Sequence, residues 1–256
     1  MQTSPISPFY LTIGVTGHRD IPPEDVAVLK SVIKSRLLDL QANFKDTPLL
    51  VLSGLAEGAD RLMVVDLHAS QIQGFFDGPV DHLFALPMLA NYVGSKVDRS
   101  RLTIVSPDSG RVRVAERWSD LLGGCPIAFI HKTRDPRVPN EAVVGRVVGD
   151  VQGQTCVVID DMIDTAGTIA KAVEALFEAG AKDVIVAATH GVFSGPAVER
   201  LRDCKASEVV ITNTLPISDE QKFEGLTVLS IAPLIARAIR EVFEDGSVTS
   251  LFDGHS

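Results

Sequence analysis

A mixed α/β architecture with mainly parallel sheets, built as two lobes, is predicted by three features of the sequence. Runs rich in Val, Ile and Leu alternate with segments of helical periodicity. Glycine-rich or acidic loops follow several of those runs. The chain has 256 residues, of which 45% are hydrophobic and 22% charged, enough for a large core and more than one lobe. We place the lobes at residues 1–83 and 84–256.

The elements follow in order. "YLTIGVT" reads as a strand over 10–16, and "GHRDIPPED" as a loop. Pro22 and Pro23 stand at a helix start, where a missing N–H costs little. Val26, Leu29, Ile33, Leu37, Leu40 and Phe44 then form one apolar stripe over about 24–44. "PLLVLS" is the next strand and "GLAEGAD" its loop. "RLMVVDLH" is ambiguous; its Val-Val core favours a strand at about 62–67. "LPMLANYVGS" and "VRVAERWSDLL" read as helices, with the strand "RLTIVS" between them. "PIAFIHK" is a strand leading into the charged loop "TRDPRVPNEA". "TCVVIDD" is a buried strand, and the helix over about 166–179 stops at Gly180, a C-cap. "DVIVAATHG", "EVVITNT" and "LTVLSIA" are further strands, and "PLIARAIREVFED" is a helix.

Composition excludes several classes. There are 33 acidic against 24 basic residues, a net charge of −9, so no basic footprint for nucleic acid exists. Cys125, Cys156 and Cys204 are odd in number, widely spaced and apolar in setting, as expected of reduced thiols in a cytoplasmic protein. The start lacks a basic region followed by a long apolar core, and no apolar run reaches the ~18 residues that span a bilayer, so neither a signal peptide nor membrane association is expected.

The stretch Thr155 to Ala181 carries the chemistry. It delivers Asp160 and Asp161 to the carboxyl end of a buried strand, where open α/β sheets bind ligands. Two charges so close need a cation or hydroxyl donors between them. Asp164, Thr165, Ala166, Gly167 and Thr168 then form a small-residue loop at a helix N-terminus. Free N–H groups and the helix dipole suit a phosphate there, and the threonines add hydroxyls. Acids for hydroxyls beside amides for phosphate describe a sugar phosphate. An acidic N-cap cluster is the alternative, yet such a cap needs one acid rather than three.

This stretch resembles the phosphoribosyl-pyrophosphate loop of type I phosphoribosyltransferase folds. Together with "DLHASQIQGFFDGPVDHL", "IVSPDSGRVRVAE", "HKTRDPRVPNEAVVGRVVGD", "AATHGVFSGPAVERL" and "ITNTLPI", it is similar to the later part of ribose-phosphate pyrophosphokinases, over roughly residues 59–256. The resemblance implies two Rossmann-like or phosphoribosyltransferase-like lobes and Mg²⁺-dependent transfer of the diphosphoryl group of ATP to the C1 hydroxyl of ribose 5-phosphate. The products would be phosphoribosyl pyrophosphate and AMP. It places the 5-phosphate on Asp164 to Thr168 and the ribose hydroxyls on Asp160 and Asp161. Asp108 would contact ribose and Mg²⁺, with His68 as a second Mg²⁺ ligand. Lys132 and Arg134 would stabilise charge during the transfer. A homo-oligomer is also implied.

The first sixty residues depart from that family. They lack its Phe-x-Asp-Gly-Glu and Arg-Gln-Asp-Arg segments and instead resemble SLOG-superfamily proteins. Gly17, His18 and Arg19 after one strand, and Gly54 and Gly58 after another, are the candidate nucleotide-binding positions, with tight turns as the alternative. The two resemblances meet at "GADRL", consistent with a fusion, a chimera or a natural replacement. Two other readings stay open: a catalytically inactive ribose-phosphate-binding regulatory or associated subunit, and a SLOG-type nucleotide sensor.

Overall fold

The computed structural model describes residues 11–14, 31, 49–52, 61–131 and 146–252. The chain divides into two compact units. One comprises Met1–Val64, Ala69–Leu83 and Ala236–Ser256, the other Val65–His68 and Phe84–Ile235.

In the first unit, β1 (Leu11–Gly14) and β2 (Leu49–Leu52) pair in parallel. β3 (Leu62–Val65) pairs with β4 (Val80–Leu83), so the ambiguous "RLMVV" segment is a strand. A bidentate ion pair from Arg61 to Asp81 ties these two strands; its second contact, Nη2 to Oδ1, measures 2.8 Å. The helix expected over 24–44 lies outside the described residues apart from Ser31, which is helical.

The second unit is a three-layer sandwich. Its seven-stranded sheet has the order β11-β10-β9-β8-β5-β6-β7. The strands are β5 (Leu102–Ser106), β6 (Ile127–His131), β7 (Arg146–Val148), β8 (Thr155–Ile163), β9 (Asp183–Gly191), β10 (Glu208–Thr212) and β11 (Leu226–Leu229). All neighbours are parallel except β6 and β7. The mainly parallel α/β expectation therefore holds.

Alternation of side chains across the pleat explains the two layers. Val105, Cys156, Val158, Val184, Val186 and Val209 face one way. They pack with Ile169, Ala172, Val173 and Leu176 of α3 (Gly167–Glu178) and with Ala197 and Leu201 of α4 (Ala197–Asp203). Leu102, Ile104, Val157, Ile159, Ile185 and Val210 face the other way. Their partners are Leu89, Ala90 and Val93 of α1 (Leu86–Lys96) and Ala115 and Trp118 of α2 (Val112–Leu121). Each fully buried Leu or Ile contributes about 1.5–3 kcal/mol. The α3 set has the i, i+3, i+4, i+7 spacing of one apolar helix face, on the helix expected over about 166–179. Gly180 ends that helix with φ +86°, the left-handed conformation expected of it, and its N–H donates to Phe177 O at 3.0 Å. A final helix, α5, runs over Ala232–Phe243, and from Ala236 onward it belongs to the first unit.

Helix α1 is also tied to the sheet edge by polar groups. Glu208 of β10 accepts from Tyr92 Oη at 2.6 Å and Lys96 Nζ at 2.9 Å, and from the Thr227 hydroxyl. Burial pushes the Glu208 carboxyl up, but these donors, Lys96 foremost, hold it below the usual glutamate value of 4.5. A depressed folded pKa stabilises above the unfolded value and is lost as pH falls through the folded one. The melting-temperature advantage of the wild type over Glu208→Gln is therefore expected to persist at neutral pH and to shrink below about pH 4.5. An advantage that instead grows on acidification contradicts this reading.

Candidate functional site

The sheet order contains a switch point. From β5 the chain moves outward to β6, whereas from β8 it moves the opposite way to β9. Loops leaving β5 and β8 therefore diverge at their carboxyl ends and open a crevice, where ligands of open α/β sheets bind. The loop after β5 carries Asp108; the end of β8 carries Asp160 and Asp161 and leads into residues 164–168.

The 164–168 turn is held from outside rather than by its own side chains. Ser194 N–H donates to Asp164 O at 3.0 Å, and Phe193 N–H to Ile163 O at 3.1 Å. Arg200 Nη1 of α4 donates to Thr165 O at 2.9 Å. Ala166 adopts a left-handed conformation, φ +57°, and α3 begins at Gly167 with no side-chain cap. The first-turn N–H groups are thus left for an external acceptor at the positive end of the helix dipole. A Cβ on Gly167 would lie 3.2 Å from Arg200 Nη1, so glycine keeps the approach to this turn open.

Asp160 and Asp161 gather three further groups. Arg111, in the short 3₁₀ turn Ser109–Arg111, places Nε 2.9 Å from Asp160 Oδ1 and Nη2 2.7 Å from Asp161 Oδ1. His68 Nδ1 lies 2.7 Å from Asp161 Oδ2 and 3.1 Å from Arg111 Nη2. Asp161 N–H donates to Asp160 Oδ1 at 2.9 Å. Asp161 Oδ1 is buried against the Arg111 guanidinium, whose charge compensates it there. Burial pushes the Asp160 carboxyl up to about 7 despite the Arg111 charge. Burial opposes ionisation of Asp161 as well, but the His68 hydrogen bond and Arg111 hold its carboxyl below the ordinary range.

His68 is fixed through the segment before it. Asp66, at φ +41°, accepts through Oδ2 from Ala85 N–H at 2.9 Å and from Thr189 Oγ1 at 2.7 Å. His190 Nε2 lies 3.2 Å from both Val65 O and Asp66 O, so it carries the proton and clasps this turn to the end of β9.

Among the sequence-predicted residues, His68, Asp160 and Asp161 come together, and Asp164, Thr165, Ala166, Gly167 and Thr168 form the adjoining turn. Asp108 caps its own turn, Oδ1 accepting from Gly110 N–H at 2.9 Å, two residues before Arg111. Lys132, Arg134, Gly17, His18, Arg19, Gly54 and Gly58 lie outside the described residues. Arg111, Asp66, His190 and Arg200 were not singled out by sequence. The need for a cation beside two adjacent acids was legible, but nothing local named Arg111 as that cation.

The donor set suits a sparsely held, hydrated divalent ion. Its exposed imidazole, His68, uses Nδ1 on Asp161, which leaves Nε2 outward, and Asp108 supplies oxygen. Among the described residues, no three His, Cys, Asp or Glu gather into a closed metal cage. Among the described residues, no helix is long and apolar enough to cross a membrane.

Comparison with known proteins adds to this geometry. The model of the phosphoribosyl synthetase-associated domain matches residues 130–253. The chain is similar to the ribose-phosphate pyrophosphokinase of Streptomyces coelicolor, 68% identical over 196 residues, 77% of this chain and 60% of that protein. It is 64% identical to that of Mycobacterium tuberculosis over 197 residues, again 77% and 60% of the two chains. The crystal structure of phosphoribosylpyrophosphate synthetase from Mycobacterium smegmatis superposes with a TM-score of 0.71 at 45% identity, covering 93% of this chain and 83% of that one. The chain spans about 60% of the length of the curated relatives it matches. With that identity and coverage on a shared fold, the chain belongs to the ribose-phosphate pyrophosphokinase family.

Proposed function

We propose that this chain binds ribose 5-phosphate at the β5/β8 switch point and transfers the diphosphoryl group of ATP to its C1 hydroxyl, giving phosphoribosyl pyrophosphate and AMP. The observation that carries the reading is the uncapped turn at Gly167 beside the Asp160–Asp161 pair. In this reading the amides opening α3, with the Thr165 and Thr168 hydroxyls, hold the 5-phosphate. Asp160 and Asp161 take ring hydroxyls. The sugar is then fixed at both ends, and its C1 oxygen is presented to the loop that follows β5.

The new bond joins that oxygen to the β-phosphorus as the bridge to the α-phosphate breaks, and AMP leaves with the bridging oxygen. Such a reaction needs positioning and charge neutralisation more than covalent help. Lys132 and Arg134 would supply positive charge to the transferring phosphates, and His68 Nε2 and Asp108 would hold Mg²⁺. When bound, that ion neutralises phosphate charge and orients the oxygens. His68 is kept in the required tautomer by Asp161, and the backbone just before it, at Val65 and Asp66, is held by His190.

The test is a transfer assay with labelled ATP, ribose 5-phosphate and Mg²⁺. Formation of AMP and phosphoribosyl pyrophosphate in equal amounts, lost in Lys132→Ala, is expected. A second reading is a ribose-phosphate-binding partner without turnover, which the absence of the Phe-x-Asp-Gly-Glu and Arg-Gln-Asp-Arg segments from the first sixty residues favours. Calorimetric binding of ribose 5-phosphate without any AMP decides for that second reading.

A further inference from the structure

We infer that Arg111 is the protein's own cation at the sugar-binding carboxylates, a positioning residue that lets Asp160 and Asp161 receive a sugar without a metal ion between them. The inference rests on the ribose 5-phosphate reading above and adds to it a role for Arg111.

Two carboxylate oxygens lie against one guanidinium. Nε lies 2.9 Å from Asp160 Oδ1, and Nη2 lies 2.7 Å from Asp161 Oδ1. A cation seated between two adjacent carboxylates would occupy this place. Arginine fills it with a planar, permanently charged group that is less strongly hydrated than an ammonium and suits a half-buried site. Its side chain is only 22% exposed, against 16% and 10% for the two aspartates, so the charges are screened weakly by solvent.

The geometry also sorts the oxygens. Arg111 lies against Oδ1 of each carboxylate. Oδ2 of Asp161 faces His68, and the ring can leave that oxygen shared with a sugar hydroxyl. Arg111 therefore fixes the planes of both acids. Its own position is set by the turn that Asp108 caps and by the start of α2 immediately after it. The loop after β5 thus contributes a cation to acids on β8, bridging the two sides of the switch point. Without that cation two neighbouring anions are left in low dielectric, and they must separate or recruit a replacement.

The replacement makes the inference testable. Ribose 5-phosphate binding is measured by calorimetry in EDTA and again in excess Mg²⁺, for the wild type, Arg111→Gln and Arg111→Lys. The wild type is expected to bind in EDTA. Arg111→Gln should lose on the order of tenfold in affinity in EDTA, the scale of one charge-assisted contact, and recover most of it in Mg²⁺. Arg111→Lys should lie between them in EDTA. Equal Mg²⁺ dependence in wild type and Arg111→Gln overturns the role of Arg111 while leaving sugar binding intact. A loss in Arg111→Gln that Mg²⁺ does not repair also overturns it, since simple misfolding gives that pattern. A wild type that binds no ribose 5-phosphate in either buffer overturns the underlying reading together with this one.

Discussion

Replacing Gly167 by aspartate is expected to abolish ribose 5-phosphate binding while leaving the protein folded. Gly167 opens α3, where no side chain caps the first turn. A carboxylate there meets the same field that would hold the phosphate: free amides, the positive end of the dipole and the nearby Arg200 guanidinium. Such an acid stabilises a helix start by roughly 0.3–1 kcal/mol, so the melting temperature should hold or rise. The built-in anion then excludes the ligand by occupancy and repulsion. Like charges in contact cost several kcal/mol, and each 1.4 kcal/mol is about tenfold, so a loss on the order of a hundredfold or more is expected. The added Cβ would lie 3.2 Å from Arg200 Nη1, the far end of a flexible side chain that can yield. Gly167→Ala brings the crowding without the charge and should cost much less. Calorimetry with a parallel thermal melt checks both halves. Undiminished binding in Gly167→Asp contradicts a phosphate seat at this turn.

The second large effect concerns the scaffold. Trp118→Ala is expected to destabilise the protein by about 3–5 kcal/mol, as large aromatic truncations in cores do. Trp118 is 3% exposed and packs α2 into the cluster formed with Leu102, Ile104, Val157 and Ile159. The start of α2 is joined directly to the turn bearing Asp108 and Arg111. Loosening that helix therefore also loosens the cation paired with Asp160 and Asp161. Trp118→Phe, which retains an aromatic ring, should cost roughly 1–2 kcal/mol, with the remainder set by the void left behind. Denaturant melts measure both variants; a Trp118→Ala protein as stable as wild type contradicts the assigned anchoring role.

Much of the architecture was legible because the central strands obey simple local rules. Cys156 to Ile159 is a continuous apolar run because both faces of β8 are covered, the pattern expected of a parallel strand between two helical layers. The α3 stripe and Gly180 likewise announce themselves by spacing and by turn chemistry. The short β7 did not: Arg146–Val148 is three residues long and exists as a strand because it pairs with the edge of β6. The β4 strand is similar, since "VDHL" carries little strand signal until Arg61 and Asp81 pin it to β3.

At the site, the acids and the small-residue turn were visible because strand, loop and helix are contiguous in sequence. Arg111 was hidden because its partners lie on a different strand, and only the sheet order brings them together. His190 was hidden for the same reason: its hydrogen bonds reach the backbone of Val65 and Asp66, and backbone acceptors leave no mark in a sequence.

The most direct measurement is a crystal structure with ribose 5-phosphate bound. The account predicts its phosphate within hydrogen-bond reach of the amides at Gly167 and Thr168, and its ring hydroxyls on Asp160 and Asp161 with Arg111 still against them. A sugar phosphate seated elsewhere, with the α3 turn empty, would contradict it.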